Sequence, residues 1–237
     1  MKIDLSSFSI VVLAKTHNPS ILNPDFLKLN GIVEQNLTPY DVLCTPPVSH
    51  VFYRESLSVI AEFERLQFID EDRVRIPYDS PIPYIAIRYV DTEKNVKYTA
   101  SGINFVGHYV FPTKELATYF ISNTFIKDGP WGAFKGERPE VGIKFAYNLN
   151  DVLCSITVEP AETTPRTIVP EGGQGQYADC CGDELQPHQP VILVKANYHL
   201  TSKESDTKRI KLFIAKWYNY FEEFHNFLES VFPEESS

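Results

Sequence analysis

The stretch IKLFIAKWYNYFEEFHNFLESVF, residues 210–232, decides how this chain folds. Its apolar residues fall at 210, 214, 217, 221, 224, 228 and 231, in steps of four and three, the spacing of one face of an α-helix. Phe213, Tyr220 and Phe227 widen that face into a broad stripe. A stripe this wide needs an apolar layer to cover it, and the sequence just upstream supplies one. In VILVKANYHL (191–200), Val194, Ala196 and Tyr198 alternate with Lys195, Asn197 and His199, the pattern of a strand with one dry and one wet face. The pair of patterns predicts a helix laid on a sheet. Trp217, Tyr218, Phe221, Phe224 and Phe232 exceed what one helix face commonly buries, so the helix is read as keeping aromatic surface for another chain.

Further strands are expected at 8–14, at 84–90 (YIAIRYV, with Ile85, Ile87 and Tyr89 on one face), at 97–111, at 141–148 and at 152–159. The acidic DED at 70–72 reads as a turn between strands, and Gly102 and Gly107 predict a bulge or bend in the long strand. A second helix is expected over 113–126, with Thr113 as N-cap, Glu115 in the first turn and Gly129-Pro130 as the stop. Runs of strands followed by a helix, met twice, predict an α+β fold: an antiparallel sheet with helices packed on one face. The order also suggests two duplicated βββα-like halves, about 1–130 and 140–232, within one compact domain spanning 1–237. A short echo supports the duplication: GINFVGH (102–108) and KANYH (195–199) each place Asn before an aromatic, with His soon after. Residues 170–190 are read as a surface loop and 233–237 as a flexible tail.

Composition narrows the function classes. With 43% hydrophobic and 22% charged residues, 237 residues suffice for a substantial core. A formal net charge of -9 repels phosphates and anionic lipid, so neither nucleic acid nor membrane is the expected partner. The apolar run FSIVVLA (8–14) is too short for a signal sequence or a membrane span. Cysteines at 44, 154, 180 and 181 lack a framework spacing, which fits a reducing, bacterial cytoplasm.

Motif chemistry is sparse. PEGGQGQYADCCGDELQPHQP (170–190) fits neither GxxxxGK[ST] nor GxGxxG, so it is not read as a phosphate cradle. Cys180, Cys181 and His188 could supply three zinc ligands, but adjacent cysteines diverge in an extended chain. A free-thiol loop is therefore preferred and zinc is the alternative. Cys44 and His50 could form a nucleophile and base, yet Pro46 and Pro47 are read as an extended run that holds them apart. HExxH, GxSxG and E-x-K do not occur, and no cofactor is expected.

What remains is a set of polar residues inside strands. Asn104, His108, Asn197 and His199 are expected to meet at a groove and to hydrogen-bond a ligand. The preferred reading is a non-enzymatic protein-binding or assembly module. It acts through a sheet face and the aromatic C-terminal helix, with another protein or a second copy of itself as partner. The alternative is an enzyme or zinc-binding protein whose site is built from scattered His, Asn and Cys residues.

Overall fold

The strand that begins at Asp4 lies in the middle of the sheet, not at its edge. The computed structural model describes residues 3–132, 135, 139–163, 188–202 and 206–232. Among these the strands are β1 (Asp4–Ala14), β2 (Pro39–Cys44), β3 (Val48–Tyr53), β4 (Leu57–Glu62), β5 (Arg65–Asp70), β6 (Tyr98–Val110), β7 (Ile143–Leu149), β8 (Val152–Thr163) and β9 (Gln189–Thr201). The α-helices are α1 (Pro24–Leu29), α2 (Ile82–Thr92), α3 (Lys114–Phe125), α4 (Thr207–Ala215) and α5 (Trp217–Val231). The strands form one antiparallel sheet in the order β2-β3-β4-β5-β1-β6-β9-β8-β7, so the fold is α+β as the patterning predicts. Read outward from the central β1/β6 pair, strand numbers fall on both sides: 5, 4, 3, 2 on one and 9, 8, 7 on the other.

The chain divides into two compact units. The larger comprises 1–108, 144–157 and 194–237, and the smaller 109–143 and 158–193. In the larger unit, Phe8, Ile10 and Val12 of β1, Ile103 and Phe105 of β6, and Leu66 and Phe68 of β5 are buried on one face. Helices α2, α4 and α5 cover that face. Phe105 is the hub: its ring lies 5.0 Å from Phe8, 5.3 Å from Phe221 and 5.9 Å from Phe224. Burying such rings is worth roughly 1.5–3 kcal/mol each, and the ring pairs add to it.

A buried clasp ties the end of β5 to the segment that leads into α2. Asp70 ends β5 with its carboxylate wholly enclosed. It accepts from Arg75 Nε (2.9 Å), Arg75 Nη2 (2.7 Å), Ser80 Oγ (2.6 Å) and the backbone N–H of Asp72 (3.0 Å). A buried carboxylate persists only with such partners. The DED triplet therefore turns strand into helix, not strand into strand.

In the smaller unit, the Thr113 side chain accepts from the Leu116 N–H (3.2 Å) and caps α3 as expected. Ala117 and Ile121 are buried there, and Phe120 packs 5.6 Å from Phe111.

Three local expectations are corrected. Residues 84–90 are helical, inside α2, not a strand. Ile82, Ile85, Ala86, Tyr89 and Val90 are buried at i, i+3, i+4, i+7 and i+8, and the short alternation within YIAIRYV masked this longer period. The segment 210–232 is two helices, broken at Lys216, not one. The register of β6 against β1 shifts at two places, and neither extra residue is a glycine: Ser6 is extra on β1 between Leu5 and Ser7, and Thr99 is extra on β6 between Tyr98 and Ala100.

Candidate functional site

The face of the larger unit that α2, α4 and α5 leave open carries the candidate site, and register places its residues. Because side chains alternate, Leu13, Val11, Ser9 and Ser7 of β1 point away from the buried Phe8, Ile10 and Val12. Their partners on β6 are Ala100, Gly102, Asn104 and Val106. On β5, Arg65, Gln67 and Ile69 stand opposite Leu13, Val11 and Ser9. Just past β9 the Ser202 N–H donates to Thr99 O (2.7 Å), and within β9 Asn197 Nδ2 donates to Asn104 Oδ1 (2.5 Å). These bonds set Asn197 beside Asn104, His199 beside Gly102 and Lys195 beside Val106. Ser155 and Thr157 of β8 complete a trough of about 660 Å³ that crosses five strands.

The trough is lined with groups that exchange hydrogen bonds. Asn197 donates to Asn104, and Asn104 Nδ2 donates in turn to Ser9 Oγ (3.2 Å). This relay crosses three adjacent strands at one level. His199 Nε2 lies 3.2 Å from Thr201 Oγ1, and Arg65 Nη2 donates to Gln67 Oε1 (2.6 Å). The charged residues of the lining are Arg65, Lys195 and Glu71.

The structure thus brings Asn104, Asn197 and His199 together and leaves His108 apart. His108 is buried, with Nε2 3.6 Å from Asp4 Oδ2, and it does not line the trough. Burial holds its pKa below the usual imidazole value; Asp4 opposes this and Arg73 reinforces it. Its chemistry is that of a neutral ring at a strand end.

The aromatic helix is also redistributed. Phe221 and Phe224 are buried against Phe105, and Trp217 packs 5.4 Å from Phe8. The expectation of outward aromatic surface from Trp217, Tyr218, Phe221, Phe224 and Phe232 narrows accordingly, because the core takes all of these rings but Tyr218. The exposed ring of α5 is Tyr218, which sits 6.0 Å from the exposed Tyr78.

Of the expected zinc ligands, Cys180 and Cys181 lie outside the described residues, and His188 is exposed. Among the described residues, no group of three or more His, Cys, Asp or Glu is placed to hold a metal ion. Cys154 is enclosed on the apolar face of β8, and burial pushes its thiol pKa up, which disfavours the reactive thiolate. Cys44 and His50 are separated for a different reason than expected. Pro46 and Pro47 sit in the β2–β3 turn, and the register pairs Cys44 with Ser49 and Leu43 with His50. Alternation then sends the thiol and the imidazole to opposite faces.

Sequence reasoning missed Ser9, Gln67, Ser155 and Thr157, whose hydroxyls and amide share the trough. Their signal was available: each is the polar member of an alternating strand. A second depression, of about 840 Å³, lies in the smaller unit beside α3. The Lys114–Glu140 ion pair (2.9 Å) and the exposed rings of Tyr119 and Trp131 border it. No protein-family model matches the chain, and no curated protein matches it.

Proposed function

We propose that this chain is a non-enzymatic binding module that holds a segment of a partner polypeptide in the trough of its sheet. The observation that carries the reading is the relay Asn197–Asn104–Ser9, set in an open depression across β9, β6 and β1. Asn is depleted from strands because its amide must find partners, and here two of them face a surface that no helix covers among the described residues. Amides and hydroxyls offer both donors and acceptors to a peptide backbone and do not transfer protons at neutral pH. The strands that carry the two asparagines, β6 and β9, are the last strands of the two proposed halves, each preceding a helix, which would make the trough the joint product of a duplication.

Self-association is a second reading, favoured by the adjacent exposed rings of Tyr78 and Tyr218. The test of the main reading is direct. Immobilised full-length chain should retain host polypeptides, identified by mass spectrometry, that the Asn197→Ala and His199→Ala variants do not retain. Both variants should melt within about 2 °C of wild type, since solvated polar substitutions change stability little. Variants that keep the same polypeptides would refute the role of the trough, and a large drop in melting temperature would mark the two residues as structural.

A further inference from the structure

The glycines of β6 differ in a way that points to the ligand. At Gly107 a Cβ would lie 2.7 Å from Ile3 Cδ1 and 3.1 Å from Asp4 O, so a side chain there would displace Ile3 and crowd the β1 backbone. At Gly102 the nearest atoms to an added Cβ would be Asn197 Nδ2 (3.5 Å), Tyr198 O (3.7 Å) and Val11 Cβ (4.0 Å), all ordinary contacts. Backbone conformation makes no demand there either, because Gly31 is the chain's described glycine with positive φ. Yet glycine in the interior of a central strand weakens the strand, since it brings the largest backbone entropy loss and no side chain to pack. The fold does not ask for Gly102. What it creates is a hollow in the trough floor, ringed by Val11, Asn104, Asn197 and His199.

Charge supplies the second observation. The chain carries 31 acidic and 22 basic residues, but among the described residues the trough lining holds Arg65 and Lys195 with one carboxylate, that of Glu71. The two cations stand at opposite corners. Arg65 is level with Leu13 and Ala100 on β5, and Lys195 is level with Val106 on β9. Three inter-strand steps of about 4.8 Å and six residues of about 3.4 Å separate them, a diagonal of about 25 Å. An extended chain covers that in about seven residues. The diagonal passes over Val11 and Asn104 and flanks Gly102, the partner of Val11 on β6.

We infer that the trough, read as a polypeptide-binding surface, takes an extended acidic segment lying along this diagonal. Its carboxylates, about five to seven residues apart, meet Arg65 and Lys195. Its backbone exchanges hydrogen bonds with Asn104 and Asn197, and it approaches the β6 backbone closely at Gly102. The field of the two cations selects against basic segments, and the hollow selects a chain that can lie flat across it.

The experiment uses full-length protein and an array of immobilised synthetic dodecapeptides in which paired Asp or Glu residues are set two to nine positions apart. A matching array carries Lys in their place. Wild type should bind acidic peptides with a spacing of five to seven at least tenfold above the Lys array. Gly102→Val should lose at least tenfold of that signal, and Gly102→Ala a smaller part of it, while neither unfolds at lower urea than wild type. The double variant Arg65→Glu/Lys195→Glu should lose the acidic preference. Unchanged binding by Gly102→Val, or binding without acidic or spacing preference, overturns the inference while the trough reading stands. Peptide binding that survives Asn197→Ala removes the trough reading itself. Binding to single-stranded DNA in place of any peptide overturns both.

Discussion

Removing the charge of Asp70 tests the clasp that fixes one wall of the trough. The carboxylate is fully enclosed and accepts four hydrogen bonds, two of them from the Arg75 guanidinium. Breaking a buried ion pair from one side costs about 3–5 kcal/mol, because the surviving charge is left in a poor environment. The two sides are unequal here. The Arg75 side chain is 22% exposed and also reaches Glu55 O (2.9 Å) and Asp72 (3.4 Å), so part of its loss is made good. Asp70→Asn should therefore destabilise by about 2–3 kcal/mol. Arg75→Met strands a carboxylate with 0% exposure and should cost about 3–4 kcal/mol. The double variant removes both charges and should cost no more than Arg75→Met alone, which leaves a coupling of about 2–3 kcal/mol. Urea unfolding at pH 7, followed by circular dichroism, measures all four corners of the cycle, and equal m-values would confirm that the denatured state is unchanged. If the single losses add to within about 0.5 kcal/mol, the clasp is not an interaction and the reasoning fails. Because Glu71 follows directly and lines the trough, Asp70→Asn should also weaken peptide capture.

Two other predictions concern the core and acid stability. Phe224→Ala empties a fully buried ring site beside Phe105 and should cost about 3–5 kcal/mol in the same urea assay; a loss below about 1 kcal/mol would mean that α5 is not part of the core. His17 is buried, and burial holds its imidazole below the ordinary pKa despite the contact of its Nε2 with Val12 O (3.2 Å). The unfolded chain protonates His17 as pH falls through about 6.5 while the folded chain resists, so stability is complete above that pH and declines below it. Between pH 7.5 and 5.5 this residue should account for at most about 1.4 kcal/mol, a slope that His17→Gln should remove. An identical pH dependence in the variant would exclude His17 as the source.

The parts of the fold that were legible are those where a period repeats over enough residues to be unambiguous. β9 shows it best: Val194, Ala196 and Tyr198 are buried as the alternation requires, and Asn197 meets Asn104 in the trough. The helix at 114–125 was legible through its cap, a local interaction that sequence records directly. Residues 84–90 were not, because a seven-residue apolar run satisfies a two-residue and a 3.6-residue period equally well; Ile82, outside the run, breaks the tie. The break at Lys216 has no proline or glycine to announce it, and apolar spacing continues through it. His108 was misassigned because sequence gives no register: the bulge opposite Gly107 and the nearby Asp4 decide its surroundings. Phe221 and Phe224 looked surplus only because Phe8 and Phe105, their packing surface, lie more than a hundred residues away in the chain.

The central place of β1 has a consequence during synthesis. Its pairing with β5 can form once Asp70 has left the ribosome, but its other edge must wait for His108. At about 5–20 residues per second the delay is roughly 2–8 s, far longer than a hairpin needs to close. Throughout that interval a nascent five-stranded layer presents Phe8, Ile10 and Val12 beside an unsatisfied row of amides and carbonyls. Chaperone dependence of the newborn chain should therefore peak in this window, and the contact-order burden on refolding should fall chiefly on the β1/β6 seam.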